Sequence, residues 1–202
     1  DSGKSNGLMF DAAGRLVGCQ GADYGKRRLT SWNIQTGEEV ELAGKFNGKR
    51  FNAPNDLVID RAGRIYFTDP RYVGHENREL KSRAVYRVDA DGAVREITRE
   101  VRKPNGIALS PDEKTLYVAD HDNGTDRIDP AAAPPKQGEM KLYAFSLDGK
   151  GLATSGRKTL IDFGPEVGID GMTTDYRGNL YLALRSSTRP GILIIDPTGK
   201  EL

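Results

Sequence analysis

Residues 54–70 read "PNDLVIDRAGRIYFTDP". Two short apolar runs, Leu-Val-Ile and Ile-Tyr-Phe, are joined by Asp-Arg-Ala-Gly, which predicts a β-hairpin with Gly63 in the left-handed position of its turn. Asn55 and Asp56 stand at the hairpin's mouth and Asp69 closes its far end. Such residues serve either as turn punctuation or as oxygen ligands. Recurrence decides between the two.

The unit does recur. Asn6 opens "NGLMFDAAGRLVGCQ", Asn105 opens "NGIALSPDEKTLYVAD" and Asp170 opens "DGMTTDYRGNLYLAL". The starts lie roughly 50 residues apart, except that the third interval is about 15 longer. The excess falls in a polar stretch over residues 122–139 containing "PAAAPP", which reads as a loop insertion. A second hairpin follows each first one: "RRLTSWNIQTGEEVEL", "AVYRVDADGAVREIT", "KLYAFSLDGKGLATSGRKTL" and "GILIIDPTGKEL". Two hairpins per repeat make four antiparallel strands, and that period is what a β-propeller blade requires. No apolar pattern of period 3.6 is sustained, so helices should be few. The fold class is all-β. The last hairpin is a strand short, so the single domain, 1–202, is expected to be about four blades of a larger ring.

Composition narrows the function classes. The 202 residues include 24 Gly and 10 Pro, as a turn-rich chain needs. With 30 basic and 29 acidic residues the net charge is +1, which gives no electrostatic reason to expect nucleic acid. No apolar run approaches eighteen residues, so no membrane span is expected. Cys19 is the one cysteine, read as a buried thiol, and no internal disulfide can form. His75 and His121 are too few for a histidine-rich metal site.

The motifs "PNDLVIDRAGRIYFTDPRY", "KPNGIALSPDEKTLYVAD" and "IDGMTTDYRGNLYLA" together resemble the SMP-30/gluconolactonase/LRE-like family of six-bladed propellers. The resemblance runs over essentially the whole chain. It implies a Ca²⁺ ion in a central tunnel, with Asn55 meeting the ion or the substrate, Asn105 ligating the ion, and Asp170 serving as ligand and catalytic carboxylate. Asn and Asp oxygens are hard donors and suit calcium better than zinc. The family also uses a Glu from a Glu-Gly-Pro motif in its first blade. No such motif occurs here, which fits the four repeats being blades two to five.

Other positions remain double-valued. Asp56 is expected to hold Asn55 by hydrogen bonding, and Asp69 either to face the ion's surroundings or to cap a strand. Arg71 and Tyr72 begin a loop that lies over the substrate in the family, so both are candidate substrate contacts. His121 ends "YVADH" and either lines the pocket mouth or sits in an exposed loop, the second being the preferred reading. Asn6 is not marked as a ligand by the family pattern. Asp11, Asp60 and Asp175 repeat at turn starts and read as structural, and Trp32 reads as packing between blades.

These readings converge on calcium-dependent hydrolysis of a small-molecule sugar lactone. Two rivals stand beside it: a phosphotriesterase with Asp170 as nucleophile, and a propeller that binds a partner without catalysis.

Overall fold

A computed structural model describes residues 2–126, 135–154 and 156–202. The strands form four radial blades, and no helix occurs among the described residues. The first blade is β1 (Ser5–Phe10), β2 (Leu16–Gln20), β3 (Arg28–Trp32) and β4 (Glu39–Ala43). A small hairpin, β5 (Lys45–Phe46) and β6 (Lys49–Arg50), leads to the second: β7 (Leu57–Ile59), β8 (Ile65–Asp69), β9 (Ala84–Val88) and β10 (Val94–Thr98). The third is β11 (Pro104–Leu109), β12 (Thr115–His121), β13 (Met140–Ser146) and β14 (Lys158–Asp162). The fourth has three strands, β15 (Ile169–Thr174), β16 (Leu180–Leu184) and β17 (Gly191–Ile195). Strands run antiparallel in sequence order within each blade, as the repeat predicts. Part of the expected insertion, residues 127–134, lies outside the described residues.

The second strands explain the stacking. "IYFTD" and "TLYVADH" are apolar without alternation, the mark of a strand covered on both faces. Ile65 and Phe67 point into a core shared with the first blade, where they meet Val17, Cys19 and Leu29. Tyr66, between them in sequence, points the other way into a core with Leu116, Val118 and Phe145 of the third blade. Tyr117 and Ala119 then face the fourth blade's Ile169, Leu180 and Leu182. β8 and β12 thus each join two cores, and the period of two places alternate residues in each. Cys19 is fully buried in the first of them, as expected. Trp32 departs from expectation: it lies across Gly18 of its own blade, where a Cβ on Gly18 would meet the indole at 2.7 Å.

The repeated aspartates close the hairpins. Asp60 Oδ1 accepts from the main-chain N–H of Ala62 and Arg64, and Asp11 and Asp175 repeat the pattern at their own turns. Gly14, Gly63 and Gly178 take φ of 77°, 77° and 88° there, the left-handed geometry read from the sequence.

Every innermost strand carries a β-bulge at the same place. Pairing shifts by one residue between Ser5 and Leu8, Pro104 and Ile107, and Ile169 and Met172. In the second blade Asn55 N–H donates to Thr68 O while Thr68 N–H donates to Asp56 O, so two residues face one. The bulged pairs are Asn6-Gly7, Asn55-Asp56, Asn105-Gly106 and Asp170-Gly171, and a bulge re-aims the side chain it carries.

Candidate functional site

Where the inner strands begin, they enclose a cavity of about 520 Å³. Asn6, Asn55, Asn105 and Asp170, the first residues of the four bulged pairs, all line it. Tyr72 and His121 line it too, with Asn123, Thr125, Lys4 and Arg185. The structure therefore gathers five of the expected site residues at one hub. Asn6, set aside by the family pattern, stands among them.

Glycine permits this convergence. A Cβ on Gly7 would lie 2.6 Å from Asp56 Oδ1, and one on Gly106 would lie 2.5 Å from the Asp170 carbonyl oxygen. Gly7 N–H also donates to Asn55 O across the blades at 2.7 Å. The second blade replaces glycine by Asp56, whose carboxylate accepts from Leu57 N–H at 2.9 Å and from Ile107 N–H of the third blade at 3.3 Å. Asp56 thus ties together the strands that carry Asn55 and Asn105; it braces the backbone and not the Asn55 amide directly. Burial, reinforced by the nearby Asp170 charge, raises its carboxyl to about 6.

Asp69 has the strand-capping role. It is fully buried and its two oxygens accept from Asn52 N–H at 2.8 Å and Ala53 N–H at 2.7 Å, just ahead of Pro54 and Asn55. Asp120 repeats this one blade on, accepting from Arg102 and Lys103 N–H at 3.0 Å each, ahead of Pro104 and Asn105. Burial raises both carboxyls to about 6, against the N–H groups that favour the anion. The ordinary aspartate value is 3.8. Between roughly pH 4 and 6 the unfolded chain therefore releases a proton that the folded chain keeps, so these groups make stability fall as pH rises. For Asp69 the loss reaches up to about 3 kcal/mol. Denaturant titrations should show the stability of wild type relative to Asp69→Asn declining across that window; a flat difference contradicts the assignment.

Arg71 needs correction. It is 2% exposed and its guanidinium is turned away from the cavity onto main-chain oxygens of Asn52, Glu76 and Asp126. Its φ of 79° turns the chain so that Tyr72, and not Arg71, faces the hub. The Tyr72 hydroxyl donates to His121 O at 3.2 Å, and burial with the Asp170 charge raises its pKa, so the phenol stays protonated. His121 is 4% exposed and ends β12, which removes the exposed-loop reading. Its Nδ1 lies 2.9 Å from Ile169 O, so Nδ1 carries the proton and Nε2 keeps its lone pair. Burial lowers its pKa and favours the neutral ring.

Sequence reasoning missed Lys103 and Arg185. Lys103 is fully buried, with Nζ 4.6 Å from the Tyr72 ring centre and 2.7 Å from Asn123 Oδ1, and also bonded to Thr125 O. It pins the Asn123–Thr125 wall to the floor, and burial lowers its pKa to about 8. Arg185 Nη1 lies 3.2 Å from Asp170 Oδ2. The signal for Arg185 was the register: the positions following Gln20, Asp69, Asp120 and Leu184 at the ends of the second strands are Gly21, Pro70, His121 and Arg185, and three of these four line the cavity.

The donor set fits a hard divalent cation. Of the polar groups lining the cavity, the Asn55 and Asn105 amides and the Asp170 carboxylate stand at the mouths of their inner strands as oxygen donors, and the Asn55 side chain has no hydrogen-bond partner among the described residues. Among the described residues no group of three or more His, Cys, Asp and Glu could hold a metal ion, so an ion here would depend on amide oxygens beside the carboxylate.

Comparison with known proteins gives consistent matches. A family model described as SMP-30/Gluconolactonase/LRE-like region matches residues 1–202. A gluconolactonase of Zymomonas mobilis is 34% identical over 98% of the chain and 53% of its own length. A lactonohydrolase of Aspergillus oryzae is 30% identical over 83% of the chain and 40% of its own length. Among solved structures, a gluconolactonase of Xanthomonas campestris is 31% identical with a TM-score of 0.79, over 99% of this chain and 61% of that one. The chain spans about half the length of the curated relatives it matches.

Proposed function

The chain belongs to the SMP-30/gluconolactonase/LRE-like family, and we propose that its cavity hydrolyses sugar lactones with the help of a divalent cation, calcium by the chemistry of the donors. The observation that carries the proposal is the convergence of Asn55, Asn105 and Asp170 on one cavity from three separate blades. Those three residues would hold the ion, and a bound ion supplies a Lewis acid for the ester carbonyl.

The chain's own groups do the rest. Asp170, partly exposed within the cavity, accepts a proton from water as the water oxygen bonds to the carbonyl carbon. Collapse breaks the bond between that carbon and the ring oxygen, and the proton returns to the alkoxide so formed. One water is consumed and a hydroxy acid leaves. Asn55 orients a substrate oxygen, and His121 offers Nε2 as acceptor to a sugar hydroxyl. Tyr72, closed beneath by Lys103, forms a protonated wall.

The experiment is hydrolysis of glucono-δ-lactone by the intact protein with added Ca²⁺, after EDTA, and after Ca²⁺ is restored. We expect loss with EDTA and recovery with Ca²⁺. Undiminished hydrolysis in EDTA removes the cation from the account, and no hydrolysis in any arm favours a binding propeller. The exposure of the Asp170 carboxylate also allows direct attack on phosphorus. A single turnover of a phosphotriester in H₂¹⁸O, with mass analysis of the acid-quenched protein, separates the routes: label in the protein or a phosphoryl adduct on Asp170 marks that reading, and label in product with neither excludes it.

A further inference from the structure

The pair formed by Arg185 and Asp170 holds information beyond this reading. Arg185 N–H donates to Gly168 O at 3.0 Å, which fixes where its side chain starts. Beyond that anchor the side chain is 60% exposed, and Asp170 is its ion-pair partner among the described residues. Among the described residues the only other cation lining the cavity, Lys4, sits 3.5 Å from a different carboxylate, Asp23. Asp170 therefore keeps a guanidinium on Oδ2 of the carboxylate proposed to hold the ion.

We infer that Arg185 is the resident counter-cation of Asp170, and that a divalent ion engaging Asn55, Asn105 and Asp170 displaces its guanidinium from the carboxylate. The inference rests on the proposed ion binding and adds a residue that controls it. A +2 ion held by the Asp170 carboxylate would repel the guanidinium, whose Nη1 lies 3.2 Å from Oδ2, and an exposed side chain can swing off at little cost. A monovalent ion brings no more charge than the guanidinium and forgoes its directed hydrogen bond, so it gains nothing by the exchange. Arg185 thereby biases the site toward divalent ions. Were Arg185 only a surface charge that orders Asp170, removing it would weaken ion binding; displacement predicts the opposite sign.

Isothermal titration of Ca²⁺ into the intact protein reads that sign without turnover. The anchoring bond is main-chain and the side chain is exposed, so substitutions here should leave the fold standing. Arg185→Gln should bind Ca²⁺ about three- to fivefold more tightly than wild type, the scale of an exposed ion pair. Arg185→Lys, which restores the charge, should stay within about twofold of wild type on the same scale. Equal or weaker binding by Arg185→Gln overturns the inference, and so does an equal gain in both variants. Asp170→Asn separates the two levels: heat in wild type that is lost in Asp170→Asn upholds ion binding even when the Arg185 result is negative. No heat in wild type removes both.

Discussion

Asp170→Asn should lower kcat for lactone hydrolysis by about 10³-fold or more, the scale on which a positioned general base contributes. Asparagine keeps the size and one oxygen but can neither take the water's proton nor supply the one negative charge in the proposed donor set. The fold should survive. Asp170 is half-exposed and its partner Arg185 more so, so losing their ion pair should cost under about 1 kcal/mol. Kinetics with a parallel thermal melt test this together. Retained turnover removes Asp170 from the chemistry, and lost turnover with a collapsed melt leaves the substitution acting through folding.

Gly106→Ala should have the second largest effect, from a single methyl group. Gly106 follows Asn105 in its bulge, and a Cβ there would lie 2.5 Å from the Asp170 carbonyl oxygen and 3.1 Å from Gly171 Cα. Both atoms are backbone of the next blade's inner strand, so no rotamer can relieve the contact. The strand carrying Asp170 must move outward, at a cost of about 1–3 kcal/mol. A shift of that kind at a reacting group costs about 10²-fold in rate. Gly149→Ala is the control: a Cβ there meets nothing within 4 Å, and both stability and kcat should hold. If Gly106→Ala behaves like its control, the inner strands do not approach as closely as described.

The propeller was legible because its evidence is repeated. Four inner hairpins at a shared spacing, three of them with Asp and Gly at fixed turn positions, and central strands rich in apolar residues left little room for another architecture. The hub was legible for the same reason, since Asn55, Asn105 and Asp170 share a register and a bulge places each at the mouth of its strand. What escaped depends on contacts between blades. Arg71 and Tyr72 are neighbours, yet a positive φ sends one guanidinium to main-chain oxygens and turns the next ring to the cavity. Nothing in the local pattern announces that. His121 reads as a loop residue until Ile169 O of the fourth blade is seen to hold its Nδ1. Lys103 carries no signal of its own in the sequence; its place is set by Tyr72 and Thr125, from elsewhere in the chain, which close over it. The bulge itself was invisible, because the extra residue shows only against the partner strand's count.

The central claim is that oxygens from three blades share one cation. Crystals of the intact protein grown with Mn²⁺ in place of Ca²⁺ would show an anomalous peak for that ion. The account predicts a single strong peak in the cavity, with Asn55, Asn105 and Asp170 oxygens at about 2.0–2.6 Å, the range of hard-cation coordination. A peak elsewhere, or one in the cavity that fewer than two of these residues touch, would contradict it.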